Sequence, residues 1–221
     1  MYCQMMGPVL EKIYDRLYRS FGPQHWWPGE TPFEVAAGAI LTQNTNWLNV
    51  EKAIVRLKQE RMLSAAALHT LPVQRLASYI RPAGYFNIKA ARLKNFISFL
   101  MEEYQGSLER MAEEDLTEIR KKLLTVNGIG PETADSIMLY ALEKPVFVID
   151  AYTKRILSRH AILTHDAPYE AYQHLFHARL SNQVALFNEY HALLVKLAKE
   201  FCRTRPLCSG CPLEDVTPWL G

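Results

Sequence analysis

Apolar residues recur every three or four positions along most of the chain, which is the spacing of helices that bury one face. The first stripe contains Val9, Leu10, Ile13, Leu17 and Phe21. Further stripes follow at Trp47, Val50, Ile54 and Leu57, at Leu76, Tyr79 and Ile80, and at Ala90, Leu93, Phe96, Ile97 and Leu100. The same pattern predicts two long helices near the end, over about 169–179 and 184–200.

Residue types at the edges of these stripes indicate where one helix begins. Thr31, Pro32 and Glu34 supply an N-cap, a proline in the first turn and a capping-box carboxylate. Only Val146–Ile149 has the composition of a strand, and it is too short and isolated to form a sheet. We therefore predict an all-α fold.

Composition narrows the class of protein. The 221 residues are 49% hydrophobic and 22% charged, which is typical of a soluble globular protein and sufficient for a large core. The sequence contains no run of about 18 apolar residues that would predict a membrane span. Its N-terminus lacks the pattern of a secretory signal. We expect a cytoplasmic protein, most simply a bacterial one.

Charge is balanced overall but uneven along the chain. The net charge is +2, yet residues 151–205 carry eight basic and four acidic side chains, whereas residues 1–150 carry 17 of each. This surplus fits a phosphate-binding surface and an ordinary solvated face equally well.

Two glycines and a proline interrupt the helical pattern between predicted helices at about 114–124 and 131–142. The sequence there is Gly128-Ile129-Gly130-Pro131-Glu132, which is typical of a helix-hairpin-helix. Both glycines would allow positive φ and the close approach of another backbone, and the first free amides after them would favour an anion such as a DNA phosphate. An ordinary tight connection between two helices is the alternative.

Asp150 follows the apolar run and stands directly before a basic helix start that contains Lys154 and Arg155. A carboxylate in this position is typical of a helix cap. It could equally be an active-site acid beside the surface formed by the hairpin.

Four segments together resemble the endonuclease III, or helix-hairpin-helix, superfamily of DNA glycosylases. They are Leu41-Thr42-Gln43-Asn44-Thr45, Gly84-Tyr85-Phe86-Asn87-Ile88-Lys89-Ala90, the hairpin, and Val148-Ile149-Asp150. The resemblance covers essentially the whole chain, and the segments occur in the family's order.

The resemblance implies two lobes, one formed by 24–140 with the hairpin at about 114–142, the other by 1–23 with 141–221. It implies that Asp150 is the catalytic carboxylate, that Gln43 reaches into the DNA, and that the hairpin grips phosphates. The residues expected to contact DNA are Gln43, Asn44, Asn127, Gly128, Ile129, Gly130, Lys154 and Arg155.

Glu132 departs from the family pattern in an informative way. Bifunctional members have a lysine there, whose amine attacks the sugar to form a Schiff base. A carboxylate cannot do so, and we therefore predict a monofunctional enzyme that activates water and leaves an abasic site.

Trp26-Trp27-Pro28, Arg81-Pro82 before Gly84, and the hairpin followed by Glu132 resemble one branch of the family, the 3-methyladenine DNA glycosylase III branch. The resemblance implies a base pocket formed by Trp26, Trp27, Pro28, Trp47 and Glu132. Aromatic faces attract a cationic methylated purine by stacking and cation–π interaction. Tryptophans at helical spacing, such as Trp47, are nevertheless often part of a core.

The C-terminal loop, 202–221, contains Cys202-x5-Cys208-x2-Cys211. It resembles the family's four-cysteine loop for a [4Fe–4S] cluster, but the first gap is one residue short and Thr217 occupies the fourth ligand's position. A cluster with an unusual fourth ligand, a loop without metal and a zinc site remain open. His174 and His177, at i and i+3, are expected to be surface residues.

The sequence therefore predicts a monomeric DNA glycosylase that acts on damaged double-stranded DNA and excises an alkylated purine such as 3-methyladenine. A glycosylase/lyase for oxidised pyrimidines and a non-catalytic DNA-binding protein are the alternatives.

Overall fold

The computed structural model describes residues 6–26 and 29–216, and these residues form α-helices without any β-strand. The predicted all-α fold is thus confirmed. The helices are α1 (Met6–Phe21), α2 (Pro32–Leu41), α3 (Trp47–Gln59), α4 (Ala65–Thr70), α5 (Val73–Tyr79), α6 (Phe86–Tyr104), α7 (Leu108–Glu113), α8 (Leu116–Thr125), α9 (Pro131–Ser136), α10 (Ala151–Arg159), α11 (Tyr169–Arg179) and α12 (Val184–Glu200).

The chain divides into two compact units. One comprises Met1–Trp26 together with Pro145–Gly221, and the other is the continuous segment Trp27–Lys144. We call them the terminal unit and the central unit. No helix among the described residues is long and apolar enough to cross a membrane.

The start of α2 follows its sequence signals. The Thr31 side chain accepts a hydrogen bond from the Glu34 backbone at 3.2 Å, and Pro32 occupies the first turn. The Glu34 carboxylate accepts from the backbone N–H of Glu30 and pairs with the Lys58 ammonium at 2.8 Å. The predicted cap is therefore confirmed, although the Glu34 carboxylate accepts its hydrogen bond from Glu30, which lies one residue before the cap.

The helix predicted over about 131–142 changes its winding partway. α9 ends at Ser136, and a π-helical turn continues over Ile137–Ala141. The Lys144 N–H reaches the Met138 carbonyl at 2.9 Å across the end of this wider turn.

A buried lysine fixes the core of the central unit near α6. Lys89 is 1% exposed, and its ammonium donates to the carbonyls of Leu41 at 2.8 Å and Ala83 at 2.7 Å. It thereby ties the end of α2 to the 3-10 turn Arg81–Ala83 that precedes α6. Burial, with the nearby Arg92 charge, lowers the pKa of Lys89 to about 8.

Candidate functional site

The two glycines of the hairpin have different conformations. Gly128 has φ +96°, and a Cβ placed there would lie 2.2 Å from Arg92 Cγ. Gly130 has φ −94° and open space around its Cα. Only Gly128 adopts the positive φ that either glycine would allow, because Gly130 is the extended N-cap residue of α9.

Gln43 lies within the central unit against this hairpin. Its Nε2 donates to the Gly128 carbonyl at 3.0 Å and to Thr133 Oγ1 at 2.9 Å, and its Oε1 accepts from the Arg92 guanidinium at 2.5 Å. The Gln43 side chain, which was expected to reach into DNA, therefore stabilises the hairpin through hydrogen bonds when no DNA is bound.

Two α6 residues that the sequence analysis did not select support the same turn. The stem of Arg92 covers the Cα of Gly128, and Asn95 Nδ2 donates to the Asn127 carbonyl at 3.0 Å. Their positions on a polar face of a long helix gave no sequence signal for this role.

The predicted DNA-contacting residues of the central unit differ in exposure. Asn44 and Asn127 are exposed, and Asn44 has a left-handed backbone with φ +53°. Ile129 is buried and anchors the hairpin, so only its backbone could meet a phosphate.

The structure describes three of the five residues predicted to form the base pocket. Trp47 is half-buried at the start of α3, and Glu132 is exposed in the first turn of α9. In the terminal unit, Trp26 is half-buried with the Lys199 ammonium 5.7 Å above its ring. Trp27 and Pro28 lie outside the described residues.

The apolar run before Asp150 is a buried segment without regular secondary structure, and side chains of α11 hold it. The Phe147 N–H donates to His177 Nε2 at 3.1 Å, and the Ile149 N–H donates to the Tyr169 hydroxyl at 3.2 Å. Gln173 Nε2 donates to the Phe147 carbonyl at 2.9 Å. These three polar side chains, spaced by four along one helix face, supply hydrogen bonds that a sheet would otherwise provide.

His177 is therefore not the surface residue that was expected. Its Nδ1 contacts Asn182 Oδ1 at 2.9 Å, and its ring packs edge-on against Phe187. His174 is exposed on the same helix.

Asp150 caps α10 at the end of this segment. Its Oδ1 accepts from the Thr153 backbone N–H at 2.7 Å, and its Oδ2 lies 3.5 Å from His191 Nε2 on α12. The Asp150 side chain is 13% exposed. Burial alone would raise the pKa of this carboxyl, but the His191 charge and the hydrogen bonds outweigh burial and lower the pKa below its ordinary value. The site thus holds a shielded carboxylate in its ionised form.

The basic residues predicted to bind DNA in the terminal unit make internal contacts. The Lys154 ammonium donates to the Ala167 carbonyl at 3.1 Å and lies over the Tyr172 ring. Arg155 Nε donates to the Cys202 carbonyl at 2.8 Å. Both side chains are half-buried and retain some access to solvent.

The three C-terminal cysteines line one cavity of about 320 Å³. Cys202 is buried, Cys211 is half-buried and Cys208 is exposed. Among residues 6–26 and 29–216, no three histidine, cysteine, aspartate or glutamate side chains are placed to share a metal ion. A cubane cluster requires four ligands, and the described part of the loop supplies three thiols. Thr217 and Cys3 lie outside the described residues, and the described residues therefore supply three of the four ligands that a cluster needs.

Protein contacts hold this loop instead. The Arg159 guanidinium donates to the carbonyls of Arg203 at 2.6 Å and Thr204 at 2.9 Å, and approaches Cys202 Sγ at 3.3 Å. His160 Nδ1 contacts the Val216 carbonyl at 2.8 Å. The C-terminal end of α10 therefore organises the cysteine loop.

Tyr85 is a candidate residue that the sequence analysis did not single out. It is 68% exposed and has φ +45° directly before α6. A bulky residue in the left-handed region is unfavourable without compensation, so strained exposed aromatics often mark binding surfaces. Its sequence signal was its place in the segment Gly84-Tyr85-Phe86-Asn87-Ile88-Lys89-Ala90, which carried part of the resemblance.

Comparison with known proteins adds to this geometry. The model of the HhH-GPD superfamily of base excision DNA repair proteins matches residues 37–181. A protein of Methanocaldococcus jannaschii named "Putative DNA repair glycosylase MJ1434" is 46% identical over 209 residues, covering 94% of each chain.

Two solved structures are similar to the fold. The H. pylori 3-methyladenine DNA glycosylase bound to 1,N6-ethenoadenine has a TM-score of 0.74 and 28% identity, covering 88% of this chain and 97% of that one. A non-covalent endonuclease III–DNA complex has a TM-score of 0.82 at 20% identity, covering 96% and 94%. The second likeness concerns the fold alone.

Proposed function

The chain belongs to the HhH-GPD superfamily of base excision DNA repair proteins, and from this premise we propose that it is a monofunctional DNA glycosylase for alkylated purines. The proposed reaction hydrolyses the N-glycosidic bond of a flipped base such as 3-methyladenine in double-stranded DNA. An abasic site with an intact strand remains.

The environment of Asp150 is the observation that carries the proposal. Breaking the glycosidic bond develops positive charge on the sugar, and a fixed carboxylate stabilises that charge best when little water screens it. Asp150 is 13% exposed, has a lowered pKa, and is oriented by the Thr153 N–H. The ionised carboxylate would stabilise the sugar and orient the attacking water.

The residue at position 132 supports hydrolysis without strand cleavage. Glu132 has no amine with which to form a Schiff base. Lys89 has the lowered pKa expected of a nucleophilic amine, but it is 1% exposed and donates to two carbonyls. We therefore propose that Lys89 does not replace the lyase nucleophile.

Aromatic side chains support the choice of base. A purine methylated at N3 is cationic and has a weakened glycosidic bond, so it requires stacking surfaces more than a general acid. Trp26 in the terminal unit and Trp47 in the central unit are half-buried, and each is a candidate for such a surface, as is Trp27. The likeness to a structure described as a 3-methyladenine glycosylase favours the same lesion class.

The hairpin would hold the DNA, with Asn44, Asn127 and the backbone of Gly128–Gly130 facing phosphates. Gln43 would enter the duplex after its hydrogen bonds to Gly128, Thr133 and Arg92 break. Lys154 and Arg155 would add positive charge from the terminal unit. We propose that the protein acts as a monomer in the bacterial cytoplasm, bound to the nucleoid through DNA.

A panel of defined lesions in duplex DNA tests the proposal. The panel contains 3-methyladenine, 1,N6-ethenoadenine, an oxidised pyrimidine and uracil, and products are scored before and after alkali. We expect abasic sites from alkylated purines, strand breaks only after alkali, and no borohydride-trapped adduct. The Asp150→Asn variant should lower the excision rate at least about 100-fold, because a neutral amide cannot stabilise the developing charge.

Each alternative has its own outcome. Excision of another lesion would overturn the alkylated-purine specificity, a trapped adduct would identify a lyase, and full activity of Asp150→Asn would remove the catalytic assignment. Binding to duplex DNA without excision of any lesion would indicate a non-catalytic DNA-binding protein.

A further inference from the structure

His191 is a buried polar residue on the core-facing side of α12, where its neighbours are apolar or aromatic. It is 5% exposed, and its ring meets Phe147 edge-on with centroids 6.4 Å apart. Burial of an imidazole carries a desolvation cost and is usually accompanied by a specific polar contact. The observed contact is with Asp150 Oδ2, 3.5 Å from His191 Nε2.

The two oxygens of Asp150 have different partners. Oδ1 accepts from the Thr153 N–H at 2.7 Å, which orients the carboxylate from its own helix. Oδ2 faces His191, which belongs to another helix of the terminal unit. The carboxylate is therefore hydrogen-bonded through Oδ1 on one side and faced by the His191 imidazole beside Oδ2 on the other.

We propose that His191 is a positioning residue that fixes the Asp150 carboxylate toward the reacting sugar. This inference rests on the proposed function, because it assigns a task to a residue that does not itself touch the DNA. The separation of 3.5 Å exceeds the roughly 2.8 Å of a closed charge-assisted hydrogen bond. In the proposed role this contact shortens to a hydrogen bond when DNA is bound, as catalytic hydrogen bonds often do in a substrate complex.

The buried segment Val146–Ile149 supports this role. The Phe147 ring stacks on Phe176 with centroids 3.6 Å apart, and α11 side chains bind its backbone on both sides. Phe147 therefore fixes the backbone three residues before Asp150 and also contacts the His191 ring. One aromatic side chain thus packs against the His191 ring and belongs to the segment that carries Asp150.

The test compares three substitutions by single-turnover excision at saturating enzyme. His191→Gln retains an amide N–H near the position of Nε2, His191→Asn is too short to reach, and His191→Leu removes the donor. Loss of one hydrogen bond to a charged acceptor predicts a rate reduction of roughly 10- to 100-fold for Asn and Leu, with most of the rate kept by Gln.

Binding is measured separately with duplex DNA that contains a non-cleavable abasic analogue. A positioning role predicts an unchanged Kd in all three variants, because His191 would act on Asp150 and not on the DNA. Tyr190→Phe is the matched control. It removes the hydrogen bond from the adjacent α12 residue to the Leu10 carbonyl, and should leave the excision rate unchanged.

The outcomes separate this inference from the proposed function. If wild type excises the lesion and Asp150→Asn does not, but His191→Leu retains the wild-type rate, the positioning role is overturned alone. Equal loss of rate in Gln, Asn and Leu, or a rate loss matched by weaker DNA binding and a lower Tm, also overturns it. Failure of the wild-type protein to excise any lesion overturns the proposed function itself.

Discussion

A single buried charge such as Lys89 illustrates how one side chain can join distant segments. The residue belongs to the Asn-Ile-Lys-Ala segment that carried part of the family resemblance, and its ammonium binds the carbonyls of Leu41 and Ala83. The lysine thus has a structural role that the motif itself does not reveal. A neutral side chain would leave both carbonyls buried without a donor.

Lys89→Met should therefore destabilise the protein by about 2–4 kcal/mol, because each unsatisfied buried carbonyl costs about 1–2 kcal/mol. Urea unfolding followed by circular dichroism measures this change. Lys94→Met is the matched control on the same helix. Lys94 also donates to carbonyls, including those of Leu68 and His69, but its half-exposed position lets water replace the donor.

We expect Lys94→Met to cost less than about 1 kcal/mol, since water can solvate the freed carbonyls. Equal losses of stability in the two variants would contradict the structural assignment of Lys89.

At the scale of elements, the hairpin is shaped by neighbours from outside its own sequence. Gly128 is required by its positive φ and by the Arg92 stem that lies over its Cα. Gly130 meets neither condition. One glycine therefore serves the folded hairpin, whereas the other leaves space where DNA is proposed to approach.

Gly128→Ala should lower stability by about 1–2 kcal/mol, because an added Cβ combines left-handed strain with overlap against Arg92. Gly130→Ala should cost less, about 0.5–1 kcal/mol, because alanine is a poorer N-cap than glycine although the extended backbone and the open space around Cα accept its methyl group. DNA affinity should fall in both variants, with the smaller fall in Tm for Gly130→Ala. A drop in Tm for Gly130→Ala alone would contradict this division.

At the scale of the whole molecule, both chain ends contribute to the terminal unit. The Tyr190 hydroxyl donates to the Leu10 carbonyl at 2.8 Å, and the Arg16 guanidinium pairs with Asp215 in the cysteine loop. Together with the contacts from Arg159 and His160, these interactions join α1, α10 and α12 to the end of the chain. The loop is therefore bound on several sides by protein groups.

We expect the purified protein to be colourless, with iron and acid-labile sulfide well below one cluster per chain. The reason is that the described loop supplies three thiols where a cubane cluster requires four ligands. Iron and sulfide analysis with an absorption spectrum provides the measurement, and Tm should not change after treatment with a chelator. A brown protein with four irons per chain would show that a further ligand completes the set.

The sequence by itself determined the helical fold, the hairpin and the position of Asp150. Helical periodicity is a local property, and a cap such as Thr31 or a turn such as Gly128-Ile129-Gly130 depends on residues a few positions apart. The four consecutive apolar residues at 146–149 likewise indicate a buried segment. These features could be predicted because their physical causes lie within one segment of chain.

Only the tertiary structure decided which distant side chains complete these segments. His191 lies about forty positions after Asp150 in a helix whose pattern resembles an ordinary core helix, and Arg92 lies thirty-six positions before Gly128. Tyr169, Gln173 and His177 have the spacing of any polar helix face, yet their side chains bind the segment that carries Asp150. Such contacts depend on how helices pack, and packing is not encoded in local periodicity.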